Sequence, residues 1–219
     1  MIDNILRNIV GNETGGYDVA ILMSGGTDSC TLLFTALRLG KKVHCYTFKP
    51  FGQDTYDSTK AKEICDIFNV PITIIDLPEV NIVNDFKLLA SKYNCKKKTQ
   101  YECTWPYIYT FPIIKEKFIL SGLAADGYYG VSKKAMIHFR HTLEKMQEFR
   151  RSYFKDNPNP AGYLQLKQFC DEYNKVLCVP YLDDSVYSYF YTKTWEDINK
   201  PYQKHLIQSK FEEFKKIKI

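Results

Sequence analysis

Short apolar runs alternate with segments of helical spacing over the first half of the chain. The runs cover residues 19–23, 43–48, 71–76 and 118–121, and each is apolar nearly throughout instead of alternating with polar residues. Strands of this kind, joined by helices, are typical of a parallel sheet that is covered on both faces. The pattern predicts an α/β fold with a parallel sheet of about five strands.

Segments with helical periodicity separate these runs and fill the rest of the chain. The predicted helices cover residues 2–10, 29–39, 55–68, 81–92, 104–115, 133–155, 161–174 and a final stretch from about 201. No strand is predicted after residue 121, and no repeat or flexible linker interrupts the sequence. We expect residues 1–219 to form a single domain, with an α/β nucleotide-binding core at about 1–130 and a helical extension at about 131–219.

Three polar segments follow the predicted strands at the point where each strand ends. They are SGGTDS after the first strand, KPFGQD after the second and SGLAADGYYG after the last. In open parallel sheets, ligands bind at the carboxyl ends of the strands. We therefore expect the three segments to meet at one crevice and to form a binding site there.

The segment SGGTDS has the features of an anion-binding turn at the start of a helix. Its glycines let backbone N–H groups approach an anion closely, and its hydroxyls are further donors. It is not a Walker-type loop, because no Gly-Lys-Ser/Thr follows the glycines. Asp28 would repel a phosphate unless it held a magnesium ion bridging to it. The alternative interpretation is a plain glycine turn in which Asp28 caps the helix.

Composition narrows the class of protein only slightly. The 219 residues are 45% hydrophobic and 15% aromatic with a net charge of +5, which excludes a disordered chain and fits an anionic ligand. The seven cysteines form no C-x-x-C pair, so we expect free thiols in a reducing compartment. No signal peptide or bilayer-spanning run is present, so we expect a cytoplasmic protein without a membrane partner.

Several segments resemble known enzymes that cleave ATP. SGGTDS resembles the PP-loop of the N-type ATP pyrophosphatases, which cleave ATP between its α and β phosphates. YTFKPFGQD, FILSGLAADGYYG, VLCVPYLDD and KPYQKH resemble, in the same order, segments of the synthetase domain of the asparagine synthetase family. The chain is identified on these residues as a member of that family, with the PP-loop α/β fold.

The resemblance implies a set of site residues. Asp28 and Asp126 would hold Mg²⁺, and Lys204 would contact the departing pyrophosphate, so these three are the expected catalytic residues. The residues expected to bind ATP are Met23, Ser24, Gly25, Gly26, Thr27, Asp28, Ser29, Tyr46, Thr47, Phe48, Ser121 and Gly122.

The resemblance also implies a reaction and its partners. The enzyme would adenylate a small-molecule carboxylate or a similar oxygen, release pyrophosphate, and form an amide with ammonia or an amine. Only some sixteen residues precede the first strand, and residue 2 is Ile2, so no glutaminase domain is expected. Ammonia would then come from solution or from a separate glutaminase.

One departure from the family argues against the second step of that reaction, the transfer to ammonia or an amine. Leu123 stands where the family has a glutamate, and leucine cannot accept a proton. Glu102 or Asp57 would then have to act as the base, or the acceptor differs.

Two alternative functions therefore stay open. One is a PP-loop enzyme that modifies a tRNA or DNA base, with the basic segment 133–155 on the nucleic acid, a partner that the sequence does not favour. The other is an ATP-binding homologue without turnover.

Overall fold

Five parallel strands form the centre of the protein. The computed structural model describes residues 1–218, and its strands follow the order β3-β2-β1-β4-β5 across the sheet. Every neighbouring pair is parallel, so the carboxyl ends of all five strands lie at the same edge. The strands are β1 (Val19–Leu22), β2 (Val43–Pro50), β3 (Ile72–Leu77), β4 (Phe118–Leu120) and β5 (Val176–Cys178). The prediction of a parallel α/β fold is confirmed.

Helices cover both faces of this sheet and continue beyond its carboxyl edge. In residues 1–218 they are α1 (Ile2–Thr14), α2 (Thr27–Arg38), α3 (Tyr56–Ile67), α4 (Ile82–Ser91), α5 (Lys98–Thr110), α6 (Asp126–Tyr129), α7 (Lys133–His138), α8 (Leu143–Phe154), α9 (Tyr163–Glu172), α10 (Asp184–Tyr191), α11 (Trp195–Asn199) and α12 (His205–Gln208). None of them combines the length and the apolar character that crossing a bilayer requires. Short 3-10 turns cover Glu79–Asn81, Phe111–Ile113, Pro160–Gly162, Pro180–Leu182 and Glu212–Lys216.

Two hydrophobic cores lie on opposite faces of the sheet. Helices α1, α2, α3 and α10 pack on one face, where Val19 and Ile21 of β1 point. Helices α4, α5 and α9 pack on the other face, where Ala20 points. Successive side chains of a strand point to opposite faces, and both faces of β1 are buried, which explains why its sequence is apolar throughout.

The fifth strand comes from the part of the chain that was expected to be only helical. β5 pairs with β4, with Leu177 opposite Ile119 and Cys178 opposite Leu120. Its three residues are too few to produce a periodicity that distinguishes a strand from a loop. The helical extension therefore also supplies an edge strand of the sheet.

The predicted long helix at 133–155 is two helices, α7 and α8. Their separation follows from local capping, since the hydroxyls of Ser132 and Thr142 accept hydrogen bonds from the third residue of the helix that each precedes. α5 begins six residues before the predicted residue 104. Pro106 lies inside this helix, whereas proline normally occupies the first turn, and that preference misplaced the predicted start.

Arg150 ties the helices beyond the carboxyl edge to one another. Its side chain is fully buried, and its guanidinium donates to the carbonyl oxygens of Tyr128 (3.0 and 3.2 Å), Phe190 (2.7 Å) and Lys193 (2.7 Å). Burial lowers the pKa of Arg150 to about 10, so the group stays charged at neutral pH. These bonds hold α8 against α6, which carries Asp126, and against α10.

Replacing Arg150 by methionine should therefore destabilise the protein strongly. Arg150→Met leaves three buried carbonyl groups without their donors, at a cost of about 3 kcal/mol or more in the free energy of unfolding. For a chain of this size that corresponds to a fall in melting temperature of roughly 6–12 °C, measurable by calorimetry. Arg151→Met is the matched control, because Arg151 is exposed and, among residues 1–218, its guanidinium donates only to the Tyr191 hydroxyl, at 3.2 Å. Equal melting temperatures for the two variants would contradict this role.

Candidate active site at the carboxyl ends of the strands

The turn between β1 and α2 is a tight loop fixed by its own serines. The Ser24 and Ser29 hydroxyls lie 3.1 Å apart, and the Gly26 N–H donates to Ser24 Oγ at 3.3 Å. Gly25 has φ +74°, and a Cβ there would lie 3.0 Å from the backbone nitrogen of Ala61 in α3. The loop therefore needs glycine for both its conformation and its packing. It leads into the first amides of α2, which have no intrahelical acceptor and favour an anion.

Asp28 does not cap its helix but pairs with a lysine from the end of the chain. Lys204 Nζ lies 3.1 and 3.0 Å from the two carboxylate oxygens of Asp28 and 2.8 Å from Oδ1 of Asp126. The helix N-cap is Gly26. The structure thus brings together the three residues expected to be catalytic, from α2, from α6 and from the residue before α12. The ammonium group of Lys204 lies between two carboxylates, in a position where their charges attract a cation.

Backbone contacts fix the position of Lys204. Its φ is +62°, and its N–H donates to Oδ1 of Asn199 at 3.0 Å. The Asn199 amide in turn donates to the carbonyl oxygen of Tyr129 at 2.8 Å. The ammonium group also lies 4.9 Å from the centroid of the Tyr129 ring, a favourable cation–π distance. The lysine is therefore held in a defined place against α6.

Burial dominates the electrostatics of this cluster. It raises the pKa of Asp28 from 3.8 to about 6, although Lys204 opposes the rise. Burial also disfavours the charged form of Lys204, but the two aspartates outweigh it and raise the pKa of the lysine. The side chain of Asp28 is 19% exposed and that of Asp126 is 63% exposed. Asp28 is therefore the buried end of the cluster, and Asp126 is its solvent-exposed end.

The loop after β4 lies directly against the start of α2. The Ser121 N–H donates to the carbonyl oxygen of Cys178 at 3.1 Å, which ties the loop to β5. A Cβ on Gly122 would lie 3.1 Å from both the carbonyl carbon of Asp28 and the nitrogen of Ser29. Only glycine allows the two loops to approach this closely. Ser121 and Gly122 thus lie beside the β1 turn, as expected.

A cavity of about 340 Å³ opens beside these loops, within the range of about 300–1,000 Å³ that ligand pockets occupy. It lies between the carboxyl ends of the strands and α5. Nine of the twelve residues expected to bind ATP line it: Met23, Ser24, Asp28, Ser29, Tyr46, Thr47, Phe48, Ser121 and Gly122.

Not every predicted residue is on the cavity wall. Gly25 and Gly26 contribute through the shape of the turn. Thr27 is buried, and its hydroxyl accepts from the side chain of Gln208 at 3.0 Å, so it joins α2 to α12 instead of lining the cavity. The phenol of Tyr46 donates to Glu116 at 2.8 Å, which ties that side chain to the loop before β4.

Sequence reasoning missed the wall that α5 provides. Cys103, Pro106, Tyr107 and Thr110 line the cavity from one face of this helix, together with Glu102. Their spacing of three to four residues was a signal for a common face, although only Pro106, Tyr107 and Thr110 lie within the helix predicted at 104–115. Asp57 and Glu102, expected only as replacement bases, both lie on the wall.

The comparisons with known proteins concern mainly the α/β part of the chain. The family model described as "Queuosine biosynthesis protein QueC" matches residues 18–118, slightly less than half of the chain. A 7-cyano-7-deazaguanine synthase from Alteromonas mediterranea is 38% identical over 74 residues. That match spans about a third of each protein, 34% of this chain and 34% of the relative.

Solved structures resemble the chain more distantly. NMN synthetase from Francisella tularensis is 15% identical with a TM-score of 0.44, and the match covers 77% of this chain and 72% of that one. The U34-tRNA thiolase NcsA from Methanococcus maripaludis, with its [4Fe-4S] cluster, is 12% identical with a TM-score of 0.47, covering 99% and 80%. The sheet and the family match together identify a PP-loop-like α/β fold.

These matches correct the main functional interpretation of the sequence. An asparagine synthetase-like ligase that forms an amide is wrong, and so are its partners, a carboxylate with ammonia, an amine or a separate glutaminase. The matched proteins are named for queuosine biosynthesis and for a deazaguanine base, which agrees with the alternative of a base-modifying enzyme. A phosphate-binding turn is common to the ATP-using enzymes of this fold, so the glycine turn could not identify the acceptor. The later segments that seemed to identify it, residues 179–183 and 204, lie outside the matched range.

Adding a methyl group at Gly122 should disturb the site without disturbing the core. Gly122→Ala forces the β4 loop away from α2, because its Cβ has no room beside Asp28 and Ser29. We expect ATP affinity to fall at least tenfold in calorimetric titrations. Gly16→Ala is the control, since a Cβ there meets nothing within 4 Å. Wild-type affinity in Gly122→Ala would show that the contact is unimportant.

The raised pKa of Asp28 predicts a pH dependence of stability. The folded state holds the carboxyl proton more tightly than the unfolded chain does, so this stabilisation is complete below about pH 4 and is lost as pH rises to about 6. The loss amounts to about 3 kcal/mol. Urea unfolding with EDTA and without nucleotide should therefore show the stability of the wild type falling relative to Asp28→Asn across this window. Parallel pH profiles for the two proteins would contradict the shift.

Proposed function

We propose that the chain is an ATP-dependent enzyme of the PP-loop type that acts on a nucleobase-type substrate and releases AMP and pyrophosphate. One arrangement above all supports this: the anion-binding turn lines a cavity large enough for a ligand, and Asp28 on its wall pairs with Lys204, which also pairs with Asp126. The match of residues 18–118 to the QueC family model supports a base as the substrate. The whole chain, residues 1–219, would act as one unit, since its last third supplies Lys204.

The proposed roles follow from the charges at each position. The amides at the start of α2, with the Ser24 and Ser29 hydroxyls, bind the phosphates of ATP. The adenine lies against residues 46–48 of β2 and against Ser121, which line the adjoining wall. Lys204 moves its ion pair from Asp28 to the pyrophosphate as negative charge develops there. The protein contributes mainly positioning and charge stabilisation.

The two aspartates suit Mg²⁺ that arrives together with ATP. No group of three or more His, Cys, Asp or Glu residues within residues 1–218 could form a metal site by itself. Magnesium is usually bound by one or two carboxylates together with substrate phosphates, and Asp28 and Asp126 supply two carboxylates around one cation position. When bound, Mg²⁺ would neutralise charge on the phosphate oxygens. Asp28 and Asp126 would hold it in place.

Neutralising either Asp28 or Lys204 should largely abolish turnover. With Mg-ATP and 7-deazaguanine derivatives or tRNA as candidate substrates, the wild type should release AMP and pyrophosphate. Asp28→Asn and Lys204→Met should each lower pyrophosphate release at least a hundredfold, because the first removes a carboxylate proposed to hold Mg²⁺ and the second removes the positive charge proposed to stabilise the leaving group. Lys200→Met is the control, since Lys200 is exposed and its one ion pair in the described part of the chain is with Glu196.

Two results would contradict the proposal. One is release of ADP and orthophosphate, because these products mean that ATP is cleaved between its β and γ phosphates instead of between its α and β phosphates. The other is ATP binding without release of pyrophosphate with any base-type substrate, which would support an ATP-binding homologue without turnover.

A further inference from the structure

The α5 wall of the cavity carries polar groups that no ATP-binding role explains. Glu102 and Tyr107 of α5 both line the cavity, opposite the strand ends that are proposed to bind adenine and phosphates. The cavity therefore has two sides of different chemistry. One side has hydroxyls and backbone N–H groups for anions, and the other has a carboxylate and a phenol among apolar side chains.

The carboxylate of Glu102 can bind a ligand with little loss of protein stability. Its only ion pair within residues 1–218 is to Lys98 at 3.5 Å, and both side chains are exposed, at 87% for Lys98 and 55% for Glu102. Exposed pairs of this kind on a helix contribute little to stability. No other hydrogen bond in the described residues holds this carboxylate, so both of its oxygens can accept from a bound molecule.

Tyr107 provides a second unpartnered group on the same wall. Its ring packs edge to face against Phe111 and Phe169, with centroids 5.6 and 5.7 Å apart. Throughout residues 1–218, its hydroxyl has no hydrogen-bond partner, although a phenol packed among aromatic rings normally finds one. A ligand in the cavity would supply the missing partner.

The carboxylate distinguishes between purine bases. A guanine-type base presents two neighbouring N–H donors on its Watson–Crick edge, and both can bind the two oxygens of one carboxylate. An adenine presents one donor beside a ring-nitrogen acceptor, whose lone pair would face a carboxylate oxygen. Glu102 therefore matches a guanine-type base and disfavours the adenine of ATP.

We propose that Glu102 is the specificity-determining residue that binds the N–H edge of a guanine-type substrate base, on the α5 side of the cavity. This rests on the proposed function, whose substrate class it makes specific. Leu22, Pro106 and Leu123 supply apolar surfaces for the faces of the base. In this arrangement the apolar side chain of Leu123 packs against the aromatic ring system of the base. A charged glutamate at the same position could not fulfil that role.

The test compares Glu102→Gln with the wild type in calorimetric titrations. The ligands are 7-cyano-7-deazaguanine, 7-deazaadenine and a non-hydrolysable ATP analogue with Mg²⁺. The wild type should prefer the guanine-type base to 7-deazaadenine. Glu102→Gln should lose roughly 10- to 100-fold in affinity for the guanine-type base, because the amide nitrogen would then face one of the two N–H donors where the carboxylate has an oxygen. Its affinity for the ATP analogue should stay within twofold.

Two controls separate this role from general effects of charge. Glu148→Gln removes an exposed carboxylate that pairs with Lys145 on α8, and it should bind all three ligands like the wild type. Lys98→Met removes the ion pair of Glu102 and should not weaken binding of the guanine-type base. Unchanged base affinity in Glu102→Gln would overturn the inference, and so would a loss confined to the ATP analogue.

Failure of the proposed function gives a different result. A wild type that binds the guanine-type base through Glu102 but neither binds ATP nor releases pyrophosphate contradicts the proposed function and supports the base site. A wild type that turns over ATP while Glu102→Gln binds the base normally supports the function and overturns the assignment of Glu102.

Discussion

The ion cluster of Asp28, Lys204 and Asp126 is the constraint on which the site depends. Two carboxylates this close, one of them buried, are stable only with a cation between them. Lys204 supplies that charge from a position 176 residues beyond Asp28. The cluster therefore fastens the end of the chain to the first turn after β1 and keeps the opening of the cavity in one shape.

The helices beyond the carboxyl edge of the sheet hold Asp126 in its place in this cluster. Tyr128 stacks between Phe154 and Phe190, with ring centroids 4.0 and 4.8 Å away, and Arg150 binds its carbonyl oxygen. This packing fixes α6, so Asp126 at its first residue faces Lys204. The part of the chain outside the family match is thus structurally required by the part within it.

The correction of the function has a clear physical origin. A phosphate-binding turn recognises a group common to every ATP-using relative, so its sequence carries information about ATP and little about the acceptor. The opposite wall of the cavity, which α5 forms, is where the proposed contact with the substrate base lies. Leu123 differs in chemistry from what the asparagine synthetase resemblance requires, and the QueC match includes the segment that forms α5.

The sequence by itself determined the parallel sheet, because buried strands must be apolar on both faces and the helices between them must follow a different period. It also indicated that SGGTDS and Asp28 belong to an anion site, since local residues make that turn. Only the tertiary structure decided that β5 joins the sheet, that Lys204 reaches Asp28, and that α5 forms the second wall. These depend on contacts between segments far apart in the chain, which no local pattern encodes.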